Sequence, residues 1–133
     1  MKKNLLSMFL SFLMLIASAV AYADWVRVEH SAQDLAVYMD PDTLKAENGT
    51  KKLWHLVDYQ TVQQIDGNDF RSFKAQDEYD CVKGMRRELL YLWHADPMGN
   101  SKMVQAAYVP SAWTKPAEGS VNQTLLQRVC SQP

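Results

Sequence analysis

The chain has 133 residues, and its 14 basic against 15 acidic residues give a formal net charge of −1, which excludes binding to nucleic acid or acidic lipid through a broad basic surface. Two cysteines in no Cys-x-x-Cys pair and five glycines in no phosphate-loop arrangement point away from redox, zinc and nucleotide chemistry.

The first element in chain order is a leader. Met1-Lys2-Lys3 is a positive n-region, Leu5 to Val20 an apolar run, and Ala21-Tyr22-Ala23 the small-residue pattern that signal peptidase accepts. The reading is a signal peptide over 1–23, cut between Ala23 and Asp24; as a retained anchor the run is marginal in length. Removing Lys2 and Lys3 leaves twelve basic against fifteen acidic residues, a charge of −3. No cysteine stands at position 24 or before it, which removes a lipid attachment at the new N-terminus. The remaining chain of about 110 residues suits one domain, 24–133, in a periplasmic, secreted or cell-surface setting.

Trp25 to Val28 alternates as a strand, Leu35 to Met39 is a second short one, and Asp40-Pro41-Asp42 ends it with turn chemistry. Thr43 to Ala46 is expected as a helical turn. Leu53, His55, Val57 and Tyr59 share one face of the next strand, with Trp54, Leu56 and Asp58 on the other. Asp66-Gly67-Asn68 turns the chain into a strand in which Arg71, Phe73, Ala75, Asp77 and Tyr79 share the core side, carrying Cys81 with them. Met85 to His94 has helical propensity, but Tyr91, Trp93 and the missing cap favour a strand. Asp96 to Asn100 is a turn and Met103 to Val109 a further strand.

The period changes at the end. Val121, Leu125 and Val129 recur every four residues beside Leu126 and Cys130, which predicts an amphipathic helix. Ser120 caps it with Gln123 as a capping box, and Arg128 suits the C-terminal end of the dipole. In an oxidising compartment Cys81 and Cys130 form a structural disulfide that pins this helix to the sheet and stabilises by roughly 4 kcal/mol. The expected class is α+β: a small antiparallel sheet of five or six strands with a disulfide-tethered C-terminal helix.

No catalytic constellation stands out, so no enzyme, metal or cofactor is expected. His30, His55 and His94 could serve as zinc or haem ligands but lie on separate segments without paired spacing, and read as strand-surface or half-buried imidazoles. Asp77, Glu78 and Asp80 crowd negative charge beside Cys81. Alternation turns Asp77 away from Glu78 and Asp80, and Arg86-Arg87 follow closely, which reads as cross-strand ion pairing. Asp40-Pro41-Asp42 lacks the spacing of a calcium loop. Trp54 is expected to be partly exposed as an anchor for a partner, with Lys51 and Lys52 keeping a strand end soluble. Asn48-Gly49-Thr50 and Asn122-Gln123-Thr124 match the glycosylation sequon by coincidence.

Val37-Tyr38-Met39-Asp40-Pro41-Asp42-Thr43, the strand Trp54 to Tyr59, Glu78-Tyr79-Asp80-Cys81 with Arg86-Arg87, and Trp113, Pro116, Gly119-Ser120 and Val129-Cys130 together resemble the bacterial surface-adhesin protein E-like family. The resemblance implies a small antiparallel sheet with a disulfide-tethered C-terminal helix and a dimeric, non-enzymatic module that binds host matrix and serum proteins such as vitronectin, laminin and plasminogen, and also haem. The alternatives are a soluble periplasmic envelope protein or enzyme inhibitor, and a haem or metal binder using His55 or His94. The namesake is a lipoprotein, whereas this chain offers no cysteine for that anchor, and the matched residues are structural, so no ligand-binding residue is carried over.

Overall fold

The computed structural model describes residues 23–108 and 110–133. The leader reading lies outside the described residues, apart from Ala23 and Asp24, which are both exposed. Six strands run antiparallel in chain order: β1 (Val26–Val28), β2 (Leu35–Glu47), β3 (Thr50–Ile65), β4 (Asn68–Asp80), β5 (Met85–His94) and β6 (Met103–Ala107). Helix α1 (Val121–Cys130) follows. The six strands, the strand assignment of Met85–His94 and the terminal helix agree with the expected class.

Two tight hairpins drive the meander. Asn48 and Gly49 between β2 and β3, and Asp66 and Gly67 between β3 and β4, all have positive φ of 48–80°. That backbone matches the twist of paired strands and suits only Gly, Asn and Asp. Asn-Gly between alternating segments is a strong hairpin signal, and Asn48-Gly49, besides matching a sequon, makes the β2–β3 turn.

Three expectations need correction. Thr43–Ala46 is not a helical turn, and Asp40-Pro41-Asp42 does not end β2: the strand runs on to Glu47 through a register shift between Asp40 and Lys45. Hydrogen bonds hold this bulge, because the Thr43 hydroxyl donates to the Asp40 carbonyl and accepts from the Trp54 N–H. The bulge absorbs the proline, whose missing N–H would otherwise interrupt the ladder. Cys81 lies in the exposed turn after β4, which stops at Asp80, and from there bonds to Cys130 of α1, the helix packed on the Tyr79 side. Finally, β6 ends at Ala107 rather than Val109, which lies outside the described residues.

Helix α1 crosses one end of one sheet face. Its buried Leu125 and Val129 pack with Val28, Val37, Met39, Leu53 and Tyr79. Ser120 Oγ accepts the Gln123 N–H, while the Gln123 side chain takes the Gly119 N–H instead of that of Ser120. Cys130 is bonded to Cys81, with Cα atoms 5.5 Å apart. Burying Leu125 and Val129 contributes about 1.5–3 kcal/mol each, so packing and the covalent tether hold α1 with comparable strength.

Candidate functional site

Strand register decides what meets on each face. Leu53 pairs with Asp77, His55 with Met39 and Ala75, and Val57 with Val37 and Phe73, so these side chains share the face that α1 partly covers. Beyond α1 that face holds a buried polar cluster and a row of aromatic rings.

The cluster centres on Asp77, which is fully buried. Arg86 Nη2 donates to Asp77 Oδ2 at 3.0 Å and to the Tyr91 hydroxyl at 3.2 Å. The Tyr79 hydroxyl reaches the same carboxylate at 3.5 Å, and Tyr91 donates to Glu88 at 3.4 Å. His55 Nδ1 stands 3.5 Å from Asp77 Oδ2 without a hydrogen bond to it, and His55 Nδ1, Asp77 Oδ1 and Arg86 Nε are all buried without partners. Burial pushes the His55 pKa down and outweighs the opposing pull of Asp77. Burial likewise raises the hydroxyls of Tyr79 and Tyr91, helped by Asp77, so both remain protonated donors. For Arg86, burial opposes the charge but Asp77 overcomes it and raises the pKa. The result is a charged pair fastening β4 to β5, with the neutral imidazole of β3 beside it.

Glu78 faces the other way, as alternation predicts. Arg87 grips it through two bonds of 3.0 and 2.8 Å, Thr50 donates at 2.8 Å, and the Arg87 guanidinium lies 4.8 Å from the Trp113 ring centre. Burial raises the Glu78 pKa, but the bonds from Thr50 and Arg87 more than reverse this and lower it. Asp80 accepts the N–H groups of Val82 and Lys83 in the turn. The three acids therefore serve ion pairing and turn closure.

The histidines do not meet. His30 bonds Thr124 of α1 at 3.1 Å, His55 belongs to the Asp77 cluster, and His94 bonds the Ser101 carbonyl at 2.7 Å while its Nε2 is buried without a partner. His55 and His94 are more deeply buried than the half-buried state expected of them. Among the described residues no group of three His, Cys, Asp or Glu side chains could hold a metal ion. Lys51 fastens the C-terminal tail through the Gln132 carbonyl, and Lys52 lies 3.8 Å from Glu47. Trp54 is partly exposed, as expected; more exposed large apolar side chains among the described residues occur at Val26, Val62, Val82, Met103, Val104 and Tyr108, the last three on and just past the edge strand β6.

The aromatic row was missed at the sequence level. Tyr59, Phe73, Tyr91 and Trp93 stand side by side across β3, β4 and β5, with successive ring centres 6.3, 5.2 and 5.4 Å apart. All four are half-buried and lie outside the cluster beneath α1. Alternation gave each ring its face, but only register makes them neighbours.

The sequence model of surface-adhesin protein E matches residues 25–131. The chain belongs to that family. Its fold is also that of Haemophilus influenzae protein E: crystal form II aligns with a TM-score of 0.65 at 9% identity, covering 84% of this chain and 90% of that one. Protein E from non-typeable Haemophilus influenzae aligns at 0.57 and 10% identity, over 84% and 78% of the two chains. No curated protein matches by sequence. Membership of the adhesin E family implies a non-enzymatic, exported or surface protein that binds protein partners. No helix among the described residues is long and apolar enough to cross a membrane.

Proposed function

We propose that the chain is exported, cut between Ala23 and Asp24, and works as a secreted binding module that grips host extracellular-matrix or serum proteins of the vitronectin, laminin and plasminogen kind. The observation that carries this reading is the row Tyr59, Phe73, Tyr91 and Trp93, half-buried on the part of the sheet that α1 leaves open. Aromatic side chains bring large contact area at low entropic cost and dominate the energetic centres of protein interfaces. A homodimer would present two such rows, and two linked sites strengthen attachment to a repetitive matrix protein.

The test has two readouts. Antibody against residues 24–133 should label intact cells. The purified domain should bind immobilised matrix proteins, and Trp93→Ser should weaken that binding at least tenfold with its melting temperature little changed. Labelling only after the outer membrane is permeabilised would reject the adhesin role and support the second reading, a soluble periplasmic envelope protein or inhibitor. That reading is favoured by the fact that both cysteines stand in the disulfide, leaving no thiol for a lipid.

A further inference from the structure

The opposite sheet face carries a second feature near its β1 edge. Asp40 pairs with Trp54 across β2 and β3, and Val26 pairs with Met39 across β1 and β2. One step before Val26, Trp25 therefore stands at the level of Asp40, and the carboxylate sits in a cross-strand row with a tryptophan on either side. Trp25, Asp40 and Trp54, with Ala23, Thr43, Lys74 and Leu92, line a mostly apolar cavity of about 280 Å3.

Asp40 is only 6% exposed. Its Oδ1 accepts the Asp42 N–H at 3.2 Å, and among the described residues no Lys, Arg or His lies within ion-pair distance of it. Lys74 lines the same cavity, but its ammonium lies beside the turn at Gly99, where an added Cβ would stand 3.1 Å from Nζ, and makes no ion pair with Asp40. A buried carboxylate without a counter-ion costs free energy that a cation recovers. Tryptophan is the aromatic ring that attracts cations best, and walls of this kind with an acid between them are what recognises methylated ammonium groups.

We infer that Trp25, Asp40 and Trp54 form a binding site for a small organic cation of the quaternary ammonium type. Ammonium ions with free N–H groups are less suited, since the walls offer aromatic faces and a single carboxylate rather than a ring of acceptors. The cavity lies on the sheet face opposite the aromatic row, so the site is independent of the protein-binding reading above.

The test is a titration of the chain beginning at Asp24 with choline chloride, following tryptophan fluorescence against matched sodium chloride. A saturable change is expected. Asp40→Asn keeps the acceptor for Asp42 N–H and Trp25→Ala alters a residue outside the strands; each should weaken choline binding roughly tenfold while circular dichroism stays unchanged. The uncharged carbon analogue 3,3-dimethylbutanol should bind far more weakly. Absence of a saturable change would overturn the inference, including the case in which the Asp24 α-ammonium fills the site itself. So would equal binding of the uncharged analogue, or of choline by both variants.

Discussion

At the scale of single residues, the Asp77 cluster makes the sharpest predictions because so little water reaches it. Arg86→Met leaves the Asp77 carboxylate buried without its cation, and urea unfolding should show a loss of about 3–5 kcal/mol. Asp77→Asn combined with Arg86→Met should recover part of this, since no charge is then stranded. His55 gives a pH dependence of known sign. Its folded pKa lies below the ordinary 6.5, so the unfolded chain binds the extra proton and stability falls as pH drops below about 6.5. Glu78 acts in the same direction in a lower window, because its folded pKa is below 4.5 and its stabilisation fades as pH falls through that folded value. Melting temperature recorded from neutral to mildly acidic pH should decline, and His55→Gln should flatten the upper part of that decline while leaving the part below pH 4.5. The opposed facing of Asp77 and Glu78 was legible in sequence, as was their use of Arg86 and Arg87. The Trp25–Asp40–Trp54 row was not, because residues from β2, β3 and the segment just before β1 become neighbours only through register.

At the scale of elements, α1 is held by two buried side chains, a cap and a covalent bond. Ser120→Ala removes the acceptor for the Gln123 N–H and should cost about 1 kcal/mol. Cys81→Ser should cost roughly 4 kcal/mol, read as a lower denaturation midpoint in urea; equal midpoints with and without reductant would show that the bridge adds nothing. The helix could be read from its four-residue spacing because nothing in its neighbourhood competes with that period. The misreading of Thr43–Ala46 has a physical cause. Asp-Pro-Asp is strong local turn chemistry, but tertiary pairing with β3 converts it into a bulge inside a longer strand, a result decided by Thr43 bonding to Trp54 N–H eleven residues away. Register shifts in β3 and β4, between Asp58 and Gln63 and between Gln76 and Asp77, were equally invisible, since no local residue pattern announces which rung of a ladder is skipped.

At the scale of the whole molecule, each strand pairs with its neighbour in sequence, and among the described residues α1 returns from the C-terminal end to pack against β1 and β2 residues. Partner binding belongs to this scale: the aromatic row spans three strands, so Tyr59→Ser and Trp93→Ser should lower affinity for a matrix protein together by more than either alone, as measured by surface plasmon resonance. The antiparallel sheet with its tethered helix was legible from alternation, turn residues and two cysteines. Which half of the sheet the helix leaves open was not, since that depends on where the chain between β6 and α1 delivers it. The placement of the bridge also imposes an order in time. Synthesis runs from the N-terminus, so Cys81, in an exposed turn, is made before the α1 residues that carry its partner, 49 positions later. Until those residues arrive the sheet can zip up hairpin by hairpin, while Cys81 keeps a free thiol and Val37, Leu53 and Tyr79 stay uncovered. Oxidation at Cys81 thus marks a copy in which α1 has been made and docked. A chain stopped short of Cys130 should display one maleimide-reactive thiol and an open apolar face, which thiol labelling of truncated chains would show.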